Sequence, residues 1–311
     1  VVAVATDAAG PGDFAGDTIV RAQTSLWTDA WRRLKRNRLA IVAAVYLVAL
    51  SLVAILSIFW TPFPYYYQAV KVNGVTVSQY DPPLHHLVLG SDQFARDILS
   101  RLMVGARISL EVGLGTQVVV ASVGILLGLL AGYFRGLVDG VISTIINIFY
   151  GIPDLLVALI LVLVVANGRP SLTFIIIAIA ATRWNDMARL VRGQSIQLRE
   201  REFVEAARSS GARPNRIIFR HILPNALGPI IVQATFGIPQ AILFEAFLSF
   251  LGLGVPPPTP SWGSMAADGR NALEFAPYVV LAPSIALSLT LMAFNFVGDG
   301  LRDALDPRQK R

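Results

Sequence analysis

Apolar and polar positions alternate along this chain in long blocks. Six oily runs, at residues 39–60, 112–134, 138–166, 171–188, 227–253 and 277–298, are separated by polar segments. Each run is near or above the ~20 residues a helix needs to cross a bilayer. Any one of them could be a buried core helix in a soluble protein; six in one chain set that reading aside. The predicted fold is therefore an all-α integral membrane protein with six transmembrane helices. The first run follows the basic stretch "WRRLKRNR" and lacks a small-residue cleavage site, so it reads as a retained anchor. Residues 1–26 are polar, Ala- and Gly-rich and weakly acidic, and are expected to form a flexible tail ahead of a basic lead-in helix at 27–38.

Composition agrees. Of the residues, 54% are hydrophobic and 15% charged, with a mean hydropathy of +0.60, whereas soluble domains carry about 25% charged residues. The absence of cysteine removes disulfides, Cys-ligated zinc and thiol chemistry. A net charge of +6 admits nucleic-acid binding, but position argues otherwise. With the N-terminus in the cytoplasm, segments 21–38, Arg135, 189–220 and 302–311 hold 19 of the 26 Lys and Arg, and the outer segments hold 6. The positive-inside rule favours this arrangement. Both termini and residues 189–225 are then cytoplasmic, and no nucleic-acid partner is expected.

Within the runs, Gly124, Gly128 and Gly132 recur every fourth residue, a spacing that lets helix backbones approach closely. Pro153 breaks a hydrogen bond inside the third run, and Asp154 beside it falls near mid-membrane. A carboxylate there either lines a substrate path or pairs with a cation such as Arg183. Glu245, late in the fifth run, poses the same choice. Two outer segments are too long for simple turns. Residues 61–107 contain "KVNGVTV", a hairpin signal centred on Asn73-Gly74, and end in an amphipathic stretch. Residues 254–276 contain "GVPPPTPSWG", whose prolines favour an extended loop. Pro257, Pro258 and Trp262 there are candidates for docking an external protein, or for plugging the chain's own helices. His85 and His86 are adjacent and no third ligand is evident nearby, so no metal site is expected.

The passage "EFVEAARSSGARPNRIIFRHILPN", residues 202–225, is strongly charged between two apolar runs. Phe203, Ala206, Ala207 and Ser210 give a small apolar face, and Arg201, Glu205 and Arg208 cluster at helical spacing. Gly211 fits a helix stop, and Pro214 fits the first turn of a second helix running to Pro224. An amphipathic helix lying on lipid is the plainer alternative; the small face and the glycine favour docking into a protein groove.

These residues resemble the EAA motif of ABC importer permeases: Glu205-Ala206-Ala207, three intervening residues, Gly211, then Leu223-Pro224. The branch is the dipeptide/oligopeptide/nickel group, in its C-type subunit. "LGSDQFARDILSRLMVGARISL", "EAFLSFLGLGVPPPTPSWG" and "NFVGDGLRDALDPRQ" are similar to further signatures of that branch. Departures are His221 in place of Ile, Ser91 in place of Thr and Ala95 in place of Gly. The resemblance covers nearly everything from residue 27 onward. It implies a type I ABC importer permease fold with its core at 108–311, after an extracytoplasmic segment at 61–107. It implies, as partners, a second homologous permease subunit in a heterodimer, two cytoplasmic ATPase subunits and an extracytoplasmic substrate-binding protein. By the same resemblance, Glu205, Ala206, Ala207, Gly211, Leu223 and Pro224 form the element that couples to an ATPase. Peptides are the expected cargo, with nickel or another small solute as the alternative. The chain lacks a GxxxxGK[ST] sequence, so ATP and Mg are expected on the partners, with no cofactor and no catalytic residue here. An ion-coupled secondary transporter would need internal repeats and several charges deep in its spans; no convincing repeat is seen. A His-based intramembrane enzyme is disfavoured because His85, His86 and His221 all fall in loops.

Overall fold

The computed structural model describes residues 31–168 and 170–305. The expected tail at 1–26, the start of the lead-in helix and the last residues of the C-terminus lie outside the described residues. After a short helical stretch at 31–34, Asn37 turns the chain and caps α1 (Arg38–Phe59), its side chain accepting from the Ala40 amide. Residues 60–97 hold one hairpin, β1 (Lys71–Val72) against β2 (Val75–Thr76), with Lys71 opposite Thr76. Its turn has Asn73 at φ 51 and Gly74 at φ 82, the doubly left-handed turn that Asn-Gly favours.

α2 (Ile98–Phe134) begins where the Asp97 carboxylate accepts from the Ser100 amide at 2.8 Å. The amphipathic stretch and the second apolar run are thus one 37-residue rod, not a surface segment followed by a span. No Gly or Pro stop separates them, and the charged first turns bury Arg101 in an ion-pair cluster with Asp92, Arg96 and Asp268. Ala95, in the position of the resembled glycine, takes φ 54.

The third apolar run is not one straight helix. α3 (Gly136–Tyr150) and α4 (Asp154–Ile160, extended by a wide π turn to Val165) meet at an 87° bend. Pro153, which has no amide hydrogen, sits at the corner as the N-cap of α4. α5 (Leu172–Arg199) follows, then the short α6 (Glu202–Ser209). α7 runs without a break from Pro214 to Phe250. Pro224 does not end a second short helix, as the sequence suggested. The preceding turn, Ile218–Ile222, widens to a π turn, which relieves the clash a proline makes with the carbonyl four residues back. A loop leads to α8 (Trp262–Gly269), so the segment expected to be wholly extended regains helix once its prolines end. α9 (Tyr278–Leu305) completes the described chain.

By length and apolarity, four described helices suffice to span a membrane (α1, α2, α7 and α9), or five if the bent α3–α4 pair is one span. By that measure the described helices do not reproduce the expected six exactly. The fourth apolar run lies in α5, which carries Arg183, Asp186, Arg189 and Arg192. That helix tolerates charge because α2 and other helices surround much of it. Beside α2 the glycine stripe makes close approach possible. A Cβ on Gly124 would stand 2.6 Å from the Met187 Cβ, one on Gly128 2.6 Å from the Ala188 carbonyl, and one on Gly132 2.5 Å from the Ser195 Cβ. These pairings run in step, so α2 and α5 lie parallel and end together beside α6. The hairpin segment and α8 sit at the opposite end, by the start of α2. Apolar side chains such as Val42, Val45 and Leu52 on α1 are left exposed, as lipid-facing surface requires.

Candidate functional site

At one end of the bundle, α6 is joined to the helices through one buried residue and its partly buried neighbours. Val204 is fully buried, in a core cluster with Ile217, Ile218 and Ile222 of α7, and Ala207 packs beside it. The residues left outward are Glu202, Phe203, Glu205, Ala206, Arg208, Ser209 and Ser210. The expected small face is therefore split, with Ala207 turned partly inward. Arg201 caps the helix rather than joining it, and Arg201, Glu205 and Arg208 make no ion pair among the described residues. Glu205 is an exposed carboxylate with no partner within the described chain.

The helix stops through a defined pair of bonds. The Gly211 amide donates to the Arg208 carbonyl at 2.9 Å, and the Ala212 amide to the Ala207 carbonyl at 3.0 Å. This is the Schellman arrangement, and it needs the φ of 78 that Gly211 adopts. A Cβ on Gly211 would meet nothing within 4 Å, so backbone conformation rather than space selects glycine. Pro214 then opens α7. Leu223 packs half-buried against the same cluster, Pro224 is exposed, and Phe219 is exposed nearby in sequence. The outward surface thus mixes small and apolar side chains with two exposed acids, Glu202 and Glu205, and the exposed Arg208.

Deeper in the bundle, α2, α5 and α7 enclose a cavity of ≈ 20 Å³, room for about one water. Its polar lining is Thr116, Gln117, Arg183, Asp186, Gln233 and Gln240. Arg183 donates to Gln240, and its Nη1 lies 3.3 Å from Asp154 Oδ2. Tyr150 donates to Asp186 while Arg189 stacks 3.9 Å over the Tyr150 ring. Asp154 is thus both paired and adjacent to the polar cavity, joined to it through Arg183, and not among its lining residues. Sequence reasoning named Arg183 only as a pairing partner and missed Gln117, Asp186, Gln233 and Gln240. The available signal was polar residues recurring at helical spacing, as in Arg183 and Asp186 or Gln233 and Gln240.

The other candidates separate. Glu245 does not face the cavity. Its side chain is fully buried and accepts from Ser249 Oγ at 2.6 Å and Ser261 Oγ at 2.8 Å, tying the loop after α7 back onto that helix. Trp262 is 1% exposed, its indole donating to the Leu102 carbonyl at 3.1 Å, so it anchors α8 and offers nothing to an external partner. A bulky ring followed by small residues finds the gap that Gly105 leaves on α2. Pro257 and Pro258 are exposed on the loop. His85 and His86 do have a third potential ligand, Asp81, which the fold places against both. Burial alone pushes the Asp81 carboxyl up, but hydrogen bonds from His85 and His86 outweigh it and hold it below the usual carboxylate range.

Several helices long and apolar enough to cross a bilayer mark a multi-pass membrane protein. The chain belongs to the binding-protein-dependent transport system inner membrane components, matching that family over residues 124–311, and residues 25–83 match the N-terminal TM domain of oligopeptide transport permease C. It is an ABC importer permease. The oligopeptide transport system permease protein OppC of Bacillus subtilis (strain 168) is 40% identical, over 98% of this chain and 96% of that protein. The dipeptide transport system permease protein DppC of the same organism is 41% identical, over 95% and 90%. OppC of Escherichia coli (strain K12) is 41% identical, over 92% of each. Among solved structures, the inward-facing MetNI methionine ABC transporter superposes with a TM-score of 0.55 at 20% identity, covering 66% of this chain and 96% of that one, a likeness of fold.

Proposed function

We propose that this chain forms half of a translocation path for peptides, in a heterodimer with a second homologous permease subunit. Two cytoplasmic ATPase subunits drive the pair and an extracytoplasmic binding protein delivers the substrate. The observation that carries the reading is α6: a short helix ended by Gly211, held through Val204 with Ala207 beside it, with Glu205 and Phe203 left exposed. An exposed element of that kind can transmit movement of a partner to the Ile217–Ile222 cluster and so to α7. Peptide cargo is supported by the names of the relatives, oligopeptide and dipeptide permeases. In this reading ATP and Mg²⁺ bind to the ATPases, and this chain serves as their membrane partner. Alternating access then means that ATP binding shifts the balance between two states of the bundle.

Both termini and α6 face the cytoplasm in this reading, because the basic residues gather on that side. Cysteines introduced at Ser209 and Thr76, both exposed, test it in a chain with no other thiol. An impermeant maleimide added to intact cells labels position 76 and spares 209; the reverse pattern refutes the orientation. Reconstitution with ATPases and binding protein tests the function. ATP-dependent uptake of labelled di- and oligopeptides is expected. Uptake without the ATPases, driven by an ion gradient, contradicts it.

A further inference from the structure

The segment between α1 and α2 carries a cluster that transport leaves unexplained. The Asp81 side chain is 4% exposed, and its Oδ1 lies 2.8 Å from His85 Nδ1. Nδ1 of His86 lies 3.1 Å from Oδ2 and 3.3 Å from Oδ1. One ligand atom from each of the three residues falls within 4.8 Å of the others. Neighbouring residues on an extended strand point to opposite faces. Here, after Pro82-Pro83, Leu84 turns the chain at φ 63 and the two imidazoles converge, ring centroids 3.9 Å apart. Donor atoms ~2.1 Å from a metal ion stand about 3.0–3.4 Å apart at octahedral or tetrahedral angles. The separations of 2.8–3.3 Å between nitrogens and carboxylate therefore have about the dimensions of a coordination polyhedron's edges.

We propose that Asp81, His85 and His86 form a binding site for a divalent transition-metal ion of the Zn²⁺ class, with the remaining positions open to water. Two imidazoles and one carboxylate suit such ions, whereas Mg²⁺ and Ca²⁺ prefer all-oxygen sites. An entry route exists: the His85 side chain is 59% exposed and that of His86 28%. The backbone around the site is fixed. The Asp81 carbonyl accepts from the Ser91 amide at 3.0 Å and from the Tyr278 hydroxyl at 3.0 Å, and its amide donates to Ser91 Oγ at 2.8 Å. Tyr278 opens α9, so a bound ion clamps the histidine turn to the end of that helix. Its role is structural.

The test uses the permease assembled with its ATPases, carrying no histidine tag, stripped with chelator and titrated with Zn²⁺ in Mg²⁺-containing buffer. One saturable equivalent per copy of this chain is expected above the background of an assembly carrying His85→Ala and His86→Ala together. Each single substitution weakens that equivalent by at least about tenfold, and excess Mg²⁺ or Ca²⁺ does not displace it. A second measurement needs no variant. Diethyl pyrocarbonate modifies exposed imidazoles, and the chain holds only 3 histidines and no cysteine. Zn²⁺ should protect His85 and His86 while His221 modifies at the same rate with or without the ion, read by peptide mass spectrometry. No saturable equivalent, undiminished binding in the double variant, or unchanged modification of His85 and His86 overturns the assignment.

Discussion

Gly128→Ala is the sharpest test of the packing that places α5, and with it Arg183 and Asp186, against the cavity. An added Cβ would lie 2.6 Å from the Ala188 carbonyl oxygen, 2.7 Å from the Val191 Cβ and 3.0 Å from the Arg192 amide nitrogen. Ordinary contacts stand at about 3.5–4.0 Å, so the helices must part by roughly 1 Å. Two of the three atoms are backbone and cannot rotate away. Overpacking of this kind costs ~1–3 kcal/mol, against ~0.5–1 kcal/mol gained from alanine's helix propensity. The net expectation is a loss of about 1–2 kcal/mol. Gly193→Ala on α5 serves as the control, since a Cβ there meets nothing within 4 Å and only the propensity gain remains. The assay is the temperature at which the purified complex leaves its monodisperse peak on size-exclusion chromatography. Gly128→Ala should fall by a few degrees while Gly193→Ala holds or rises. Equal behaviour of the two variants refutes close approach of α2 and α5.

Two further substitutions probe the carboxylates. Glu245→Ala strands the hydroxyls of Ser249 and Ser261 and should cost ~1–3 kcal/mol, whereas Glu245→Gln keeps an acceptor and stays closer to wild type in the same assay; equal losses contradict the acceptor role. Asp154→Asn should alter uptake with little loss of complex yield, because asparagine keeps a side-chain oxygen that can accept from the Arg183 guanidinium. Failure to assemble would place Asp154 in the scaffold.

Much of this architecture was legible because bilayers impose a coarse rule, length and apolarity, that a single chain displays openly. The hairpin at Asn73-Gly74 and the stop at Gly211 were legible for a related reason: each depends on backbone conformations that few residues adopt. The errors came where tertiary context overrode local signals. Pro224 reads as a terminator, yet a π turn at Ile218–Ile222 carries the helix through it. For Trp262 the sequence leaves two readings open, and the fold takes the one against its own helices, because Gly105 leaves a slot for the ring on a helix far away in sequence. Asp81 was overlooked as a partner of His85 and His86 although it lies four residues away, because only the turn at Leu84 brings both rings onto it. The cavity lining was hidden for a different reason. Its glutamines and Arg183 come from three helices, and no one-dimensional spacing joins them.

The central claim is that α6 transmits the ATPase cycle to the bundle, and substrate-stimulated ATP hydrolysis measured beside uptake tests it most directly. Gly211→Val forces a β-branched residue toward φ 78, at a cost of about 1–2 kcal/mol, without filling any occupied space. Glu205→Lys reverses one of the two exposed carboxylates, Glu202 and Glu205, on the outward face of α6. In both variants the complex should assemble, while stimulation of hydrolysis by loaded binding protein and uptake of peptide fall sharply together. Wild-type stimulation and wild-type uptake in both would mean that the coupling lies elsewhere in the chain.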